Sequence, residues 1–584
     1  MRKSGIAKVL ATVVAVFAMG ANALVASAAP STVKSGGTAT FDLDETLAGF
    51  NVNTSASNEY VLQEIINLVW PQLYVTTGSL KEVLNTDFVT NVKVTSSPVE
   101  TLTYTINPKA TWMDGTPMTA DDFIYNWQTL NGSPAYTDTD GTAYQPAGTT
   151  GYNQITSVVG SNPAGGAACD PGSSANRNVG LCPNGKTVTV KFGASTPFAD
   201  WQSLFGDLVP AHEARIVGWN TGFNINGGGD ESKVVSGGPY YIYSYDSSAG
   251  TVVLKRNPKY WGTPGKLDTI VFLGGINDAS GIADLQSGTT NVFEPITASL
   301  PILLQAQTAS GIKYSSTPGL QFEHFDFNQS NPYLRQLKVR QAIAYGTDRK
   351  QLITDTVGQI SSNIKPLGNH MYMNNQPQYV DNGKAYDNVN PAKAITLLKS
   401  LHFKRAKDGY FQPTYGPLKN RDLAFTINST TNNPTRASTE VLFQQQMQKI
   451  GIKINVLNYP AGTLFPMIAA GQYQIAEFAW VSTPFVSGNE SIYCSYNKSQ
   501  CGQNWMHYKN PAIDKLVFHG ASATNPVQEA ALFNAADRLL WQNMITLPLY
   551  QKPIFDAWTS TLGNVVPNPS SQGLTWNAQT WGFM

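Results

Sequence analysis

Hydrophobic residues along the chain recur at two spacings, which predict helices and strands in alternation. Residues 436–450 carry apolar side chains at helical spacing and end at Gly451, and the apolar run 452–456 follows at once as a strand. Residues 463–470 and 473–480 repeat this helix-then-strand order. Such alternation predicts an α/β lobe with a largely parallel sheet, in which ligands lie beyond the carboxyl ends of the strands.

A tight turn followed by a capped helix is predicted for residues 112–131. Asp114 and Gly115 supply the turn chemistry, and Thr119 can form a capping box with Asp122 three residues later. Apolar residues then follow at helical spacing and give this helix one buried face: Phe123, Trp127 and Leu130.

The four cysteines lie in two polar loops. The first loop belongs to residues 137–184, which show little periodicity and are predicted to form an irregular insertion. Four cysteines permit three pairings, and we expect nearest neighbours to pair because each bond then closes a short loop. A metal site is the alternative, but no CxxC motif and no histidine accompany either pair. The expected disulfides are Cys169–Cys182 and Cys494–Cys501.

The composition is that of a globular protein without excess charge. Of 584 residues, 42% are hydrophobic and 13% are charged, and the formal net charge is +0. This length predicts several lobes rather than one core. The balanced charge argues against a nucleic-acid surface, which requires a basic excess.

The N-terminus has the pattern of a secretory signal. Basic residues precede the apolar run 9–19, which is shorter than the roughly 20 residues that span a bilayer. The Ala-Ser-Ala sequence at 26–28 predicts cleavage before Ala29. A permanent N-terminal anchor is the alternative.

Five blocks of sequence, taken in order, resemble one protein family. Residues 112–127 (WMDGTPMTADDFIYNW), 237–262 (with GGPYY and NPKYWG) and 338–349 (KVRQAIAYGTDR) are similar to signatures of the peptide/nickel/oligosaccharide-binding proteins of ABC transporters, the extracellular solute-binding proteins of family 5. Residues 503–516 and 547–551 resemble later blocks of the same family. The resemblance therefore covers nearly all of the chain after the signal.

The resemblance implies an α/β fold of the periplasmic-binding-protein type II kind. Two α/β lobes are joined by a hinge, an extra domain is added, and the sheets are mixed. It implies a binding protein with no catalytic residues, no cofactor and no metal. The implied division is a signal peptide (1–28), the first part of lobe I (29–80), an extra domain II with the irregular disulfide loop (81–212), the second part of lobe I (213–318), lobe III (319–546) and a return to lobe I (547–584).

The resemblance also places a ligand beside Trp480, which ends an apolar strand before a long polar loop. In the family a tryptophan here flanks the ligand, and the adjacent backbone bonds it as an added strand would. The alternative is that Trp480 is only a core residue. The residues expected at the site are Ala479, Trp480, Val481, Ser482 and Thr483, with Asn58 and Tyr60 from the loop before the first helix of lobe I.

Two positions depart from the family pattern. Peptide-binding members have an aspartate three residues after the tryptophan, which pairs with the free α-amino group of the ligand. This chain has Thr483, whose hydroxyl cannot supply that charge-assisted bond. Glu59, Glu477 or Glu490 could take its place. Many members also carry a cysteine for lipid attachment directly after the cleavage site.

Because this chain has Ala29 at that site, we expect an exported protein that is soluble in the periplasm or outside the cell, without a lipid anchor. Two arginines of the third block, Arg340 and Arg349, could clamp a ligand carboxylate, but bracing salt bridges inside the lobe are favoured. We expect His212 to be structural, because no nucleophile motif accompanies it.

These observations predict the extracytoplasmic solute-binding protein of an ABC importer. It would close two lobes on an extended solute, by family default a peptide, and deliver it as a monomer to permease subunits in the membrane. A receptor for a non-peptide solute and a cell-envelope sensor of the same fold stay open. A secreted hydrolase is the alternative from another class, and the absence of GxSxG and HExxH argues against it. A glycoside hydrolase would need only a carboxylate pair, which 39 acidic residues could supply.

Overall fold

The computed structural model describes residues 33–584 with short gaps. The gaps are residues 44, 96–98, 162–184, 195, 225–230, 276, 278, 296–298, 361–362, 497–500 and 524–525. The predicted signal sequence, Ala29 and the predicted disulfide between Cys169 and Cys182 therefore lie outside the described residues.

The described residues form twenty strands and thirteen α-helices. The strands are β1 Thr38–Leu43, β2 Tyr74–Thr76, β3 Glu82–Leu84, β4 Val89–Thr95, β5 Thr101–Ile106, β6 Ile155–Ser161, β7 Thr187–Phe192, β8 Tyr240–Asp246, β9 Thr251–Arg256, β10 Thr269–Leu273, β11 Val292–Glu294, β12 Ile312–Phe327, β13 Lys404–Arg405, β14 Phe411–Gln412, β15 Ala424–Asn428, β16 Lys453–Val456, β17 Ile475–Val481, β18 Thr546–Thr559, β19 Leu562–Gly563 and β20 Gly582–Phe583. The helices are α1 Tyr60–Ile66, α2 Ala120–Leu130, α3 Ala211–Val217, α4 Gly281–Ser287, α5 Leu300–Thr308, α6 Leu337–Gly346, α7 Arg349–Asp355, α8 Pro391–Lys399, α9 Pro434–Ile450, α10 Ala461–Ala469, α11 Glu490–Tyr493, α12 Pro511–Ala521 and α13 Pro526–Asn543.

One ten-stranded mixed sheet runs through both lobes, in the order β16-β15-β17-β12-β18-β11-β1-β10-β9-β8. The central strands β12 and β18 are 16 and 14 residues long and pair antiparallel. By the predicted boundaries, β1 and β8–β11 belong to lobe I, and β15–β17 belong to lobe III. The pairing of β12 with β18 shifts register between Pro318 and Phe322, where this ribbon passes between the lobes. Two strands shared by both lobes are therefore the connection on which the lobes can close.

The expectation of a mixed α/β fold is confirmed. In lobe III, β15 pairs in parallel with β16 and with β17, as the alternation of helices and strands predicts. The parallel part ends there, because β12 enters from lobe I and pairs antiparallel with β17. No helix in the described part of the chain is long and apolar enough to cross a membrane.

Domain II is built on a separate antiparallel sheet of the order β4-β5-β7-β6. Aromatic side chains join this sheet to α2, with Phe123 centred 5.8 Å from Tyr104 and 5.1 Å from Phe205. These residues belong to the same buried cluster as the core of lobe I. Domain II is therefore packed firmly onto lobe I, and the sequence boundaries between the two stay a prediction.

The turn and capping box predicted for the start of α2 are present. Gly115 has φ +101°, a conformation that favours glycine. The Thr119 hydroxyl accepts from the Asp121 amide at 3.2 Å, and the Asp122 carboxylate accepts from the Thr119 amide at 2.9 Å. Asp122 also accepts from the indole of Trp112 at 3.2 Å, so the cap ties the helix to the turn before it.

We expect Thr119→Ala to destabilise domain II by about 1 kcal/mol, because it leaves N-terminal amides of α2 without their acceptor. Thermal unfolding followed by calorimetry measures the loss. Thr119→Ser keeps the acceptor and serves as the control. Equal melting temperatures for the Ala and Ser variants would show that the cap contributes nothing measurable.

Candidate functional site

A cavity of about 340 Å³ lies between lobe I and lobe III. Its volume is typical of a site for a small ligand or for a segment of a longer one. The structure brings all seven predicted site residues to its wall: Asn58 and Tyr60 from lobe I, and Ala479, Trp480, Val481, Ser482 and Thr483 from lobe III.

One edge of β17 faces this cavity. The Ser482 amide donates to the Leu320 carbonyl at 2.8 Å. Every second pair along the β12–β17 ladder from that point, beginning with Trp480 and Phe322, is therefore a hydrogen-bonded pair. In an antiparallel ladder the alternate residues point their N–H and C=O groups the other way. Ala479 and Val481 are such residues. Among the described residues, β15 pairs with β17 only before this point, through Ile475 and Ala476.

Aromatic rings form the apolar wall of the cavity. The rings of Trp480 and Trp505 lie 5.1 Å apart at 34°, and Phe478 lies 5.2 Å from Trp480 and 5.5 Å from Trp505. Phe465 extends the wall from α10, 5.9 Å from Phe478. Offset and tilted packing of this kind holds large apolar surfaces in place. Trp480 is therefore both part of a buried cluster and part of the cavity wall.

Several predicted polar side chains already have partners inside the protein. Asn58 donates to the Val52 carbonyl at 2.8 Å and accepts from Gln503 of lobe III at 2.8 Å. The Tyr60 hydroxyl donates to Glu294. Thr483 accepts from the Phe485 amide at 3.2 Å. These hydroxyl and amide groups organise the wall, and the backbone edge and the aromatic rings are the surfaces left for a ligand.

An ion cluster stands beside the cavity, where Arg436 and Lys552 share one carboxylate. Arg436 Nε lies 2.6 Å from Glu323 Oε1, and Lys552 Nζ lies 3.1 Å from Glu323 Oε2. Arg436 also donates to Thr430 at 2.7 Å, and its Nη1 lies 3.6 Å from Glu45 of lobe I. The cluster thus joins the central sheet to both lobes.

Burial and charge set opposite pKa shifts within this cluster. Burial raises the pKa of Glu323, but the positive charges of Arg436 and Lys552 outweigh burial and lower that pKa to about 2. Burial, reinforced by the negative charge of Glu323, holds the pKa of Glu477 well above its usual value. Burial likewise raises the pKa of Glu59 to about 8. Glu323 is therefore firmly ionised, while the neighbouring Glu477 and the cavity residue Glu59 favour their neutral forms.

The structure separates the three glutamates that could replace the missing aspartate. Glu59 lines the cavity. Glu477 is fully buried in the ion cluster, and Glu490 is buried with Asn153 of domain II as a hydrogen-bond partner. Of these three, only Glu59 is part of the described cavity wall. A fourth glutamate, Glu45, also lines the cavity.

Arg340 and Arg349 stand outside the cavity wall. Arg340 donates to four backbone carbonyls: Leu334, Arg335, Asn543 and Met544. Arg349 forms the expected bracing salt bridge, 2.8 Å from Asp387, and donates to two further carbonyls. Both arginines therefore brace lobe III, although Arg340 does so through carbonyls. His212 lies 2.8 Å from Asp114 and joins α3 to the turn before α2.

Cross-lobe contacts show that the two lobes are closed on each other. Asn432 of lobe III donates to the Gly275 carbonyl of lobe I at 3.3 Å, and Ser487 donates to Asp200 of domain II at 2.6 Å. The predicted disulfide between Cys494 and Cys501 is confirmed, with Cα atoms 5.5 Å apart. It lies in the loop that carries further cavity residues, among them Gln503.

The sequence analysis missed several wall residues: Glu45, Gln321, Arg436, Phe465, Phe478 and Trp505. Phe478 could have been predicted, because it lies two residues before Trp480 on the same face of one strand. Trp505 lies in a block that resembles the family. Nothing in the sequence marks Glu45 or Arg436, because the spacing of charges along a chain does not show which ones meet across lobes.

A cavity between two lobes that share one sheet is an arrangement that can close around a solute. The model of the family described as "Bacterial extracellular solute-binding proteins, family 5 Middle" matches residues 86–501. The chain belongs to this family of solute-binding proteins. Among the described residues, no group of three His, Cys, Asp or Glu side chains could hold a metal ion.

Individual relatives agree with this assignment. The oligopeptide-binding protein OppA of Mycobacterium tuberculosis is 28% identical over 543 residues, which cover 92% of this chain and 83% of OppA. The oligopeptide-binding protein AppA of Bacillus subtilis, solved with a nonapeptide, superposes with a TM-score of 0.76 at 17% identity and covers 94% of this chain and 100% of its own. A periplasmic EDTA-binding protein, EppA, superposes with a TM-score of 0.77 at 23% identity over 96% of this chain and 99% of its own. At these identities the two structures establish the fold alone.

Proposed function

We propose that this protein captures peptides outside the cytoplasmic membrane and delivers them to the permease of an ABC importer. The carrying observation is the edge of β17, whose Ala479 and Val481 turn their backbone groups toward the cavity. The named peptide binders among its relatives support the same solute class. In this proposal the protein is exported by its N-terminal signal and works without a lipid anchor.

Backbone pairing explains how such a site can accept many sequences. An extended peptide laid along β17 would exchange N–H and C=O hydrogen bonds that are independent of its side chains. Trp480 and Trp505 would cover the apolar parts of the ligand. Closure of the lobes would then exclude water and strengthen each polar contact. The seven predicted site residues are proposed as the ligand contacts on this basis.

Val481→Pro tests the proposed strand addition. Proline removes the Val481 amide, which points away from β12, so the ladder within the protein keeps its hydrogen bonds. We expect the apparent affinity for a pool of random-sequence pentapeptides to fall about tenfold, through loss of one backbone bond and intrusion of the ring. Equilibrium dialysis with mass-spectrometric quantification measures the affinity.

Val481→Ala is the matched control, because it keeps the amide and trims only the side chain. If the Pro and Ala variants bind the pool equally well, the peptide does not pair with β17. If the wild-type protein binds no pentapeptide and none raises its melting temperature, peptide capture itself is wrong. A non-peptide solute or a sensor function would then take its place.

A further inference from the structure

We propose that Glu59, assisted by Glu45, recognises a positively charged group of the solute, which makes this a receptor for amine-bearing peptides. This inference rests on the proposed peptide function and adds the chemical class of ligand and the residue that selects it. Both glutamates come from lobe I and line the same cavity as the edge of β17.

Glu59 lies in the cavity wall, and one of its two carboxyl oxygens has a hydrogen-bond partner in the described part of the protein. It is 5% exposed, and its Oε2 accepts from the Ala48 amide at 3.1 Å. Its other oxygen, Oε1, is buried and has no hydrogen-bond partner among the described residues. Glu59 also precedes α1 directly, but its side chain does not cap that helix. A buried carboxyl oxygen without a partner is costly, so a ligand that satisfies it gains affinity.

Burial and the charge of Glu45 raise the pKa of Glu59 to about 8, and a cation in the cavity would lower that pKa again. Glu45 is the neighbouring charge that acts on it, and this carboxyl disfavours a second negative charge in the site. The nearby cation, Arg436, lies 3.6 Å from Glu45 but only 2.6 Å from Glu323, to which it is bound more closely. Two acidic side chains thus share the cavity wall with one cation that is already paired. A ligand ammonium group would favour the ionised form of Glu59 and form a charge-assisted hydrogen bond with it.

Glu59 and Glu45 do not lie at the position where the family resemblance implies an acidic residue. Position 483, three residues after Trp480, carries a threonine whose hydroxyl accepts from Phe485. The acidic partner therefore moves from lobe III to lobe I in this chain. As a consequence, the ligand's charge is bound by one lobe and its backbone by the other, and the ligand bridges the closed lobes.

The test compares pentapeptides that differ only at the amino terminus. A pool of random-sequence pentapeptides lacking Lys, Arg and His is prepared with free amino groups and again with N-acetyl groups. We expect acetylation to weaken binding to the wild-type protein about tenfold to hundredfold, the range of a charge-assisted hydrogen bond. In Glu59→Gln, the two pools should bind within about threefold of each other.

Glu490→Gln is the matched control, because Glu490 is another buried carboxyl whose pKa is raised to about 8 and which is not part of the cavity wall. It should discriminate between the pools as the wild type does. Glu45→Gln is the second variant, used in the same assay should Glu59→Gln fail to fold, and it should discriminate less than the wild type.

Each outcome has a distinct meaning. Equal binding of both pools by the wild type overturns the role of Glu59 and leaves peptide capture standing. Equal weakening of both pools in Glu59→Gln shows a structural role and also overturns the inference. Binding of neither pool by the folded wild type overturns the proposed function itself.

Discussion

Trp480→Ala is expected to lower the apparent affinity for the pentapeptide pool about hundredfold. The indole packs at a tilt against Trp505 and edge-on against Phe478, and together these rings form the apolar wall of the cavity. Truncation of a well-packed tryptophan at a binding centre typically costs about 2–4 kcal/mol of binding free energy. Equilibrium dialysis on the folded variant measures this loss.

Trp541→Ala separates the binding effect from the packing effect. Trp541 is 2% exposed and Trp480 is 8% exposed, so both truncations should destabilise lobe III by about 3–5 kcal/mol. Of these two tryptophans, only Trp480 lines the described cavity. The Trp480→Phe and Trp541→Phe pair repeats the comparison with a milder change. Equal peptide affinities in the two members of a pair would make Trp480 a core residue and nothing more.

Glu323→Ala is expected to destabilise the protein by about 3–5 kcal/mol, because it leaves Arg436 and Lys552 buried without their shared carboxylate. For a chain of this length, a loss of this size should lower the melting temperature by about 3–4 °C. Glu440→Gln is the control in the same lobe, since burial raises the pKa of Glu440 to about 7 and its substitution at pH 7 removes only part of a charge. Calorimetry of both variants gives the comparison.

The stability that Glu323 supplies should depend on pH in a defined direction. Its pKa is about 2 in the folded protein, against the usual 4.5, so the folded state favours the ionised form. The stabilisation is complete above about pH 4.5 and is lost as the pH falls toward 2. A shift of this size corresponds to about 3 kcal/mol. The melting temperatures of the wild type and Glu323→Ala should therefore converge in that window, and a constant difference down to pH 2 would contradict the ion-pair explanation.

These two predictions concern neighbouring parts of one site. Phe478 and Trp480 lie on β17, directly across the ladder from His324 and Phe322, and Glu323 lies between those two on β12. Alternate residues of a strand face opposite sides of the sheet. The sheet therefore carries the aromatic wall on one face, while Glu323 stands on the face where Arg436 and Lys552 approach. Rigid pairing of β12 with β17 explains how a buried charge cluster can support a binding surface.

Local chemistry accounts for what could be predicted from the sequence. Thr119 and Asp122 meet in the capping box because they are three residues apart on one helix, and a contact of that range does not depend on the rest of the fold. The helix α9 ends at Gly451, which has φ +83°, for the same kind of reason. Trp480 was placed at the cavity by its position at the end of an apolar strand, supported by the family resemblance.

The tertiary structure decided every feature that depends on residues distant in sequence. Sequence reasoning could name Glu59, Glu477 and Glu490 as candidates but could not separate them, because burial and neighbours are set by the closed lobes. The sequence analysis used Arg436 only as the first residue of a predicted helix. Its partner Glu45 is nearly 400 residues away along the chain, so no local pattern connects the two. Spacing along the chain determines which groups share a helix or a strand face. Only the folding of both lobes onto one sheet determines which charges meet, which carboxyl oxygen in the cavity wall is left without a partner, and which strand edge remains open for a ligand.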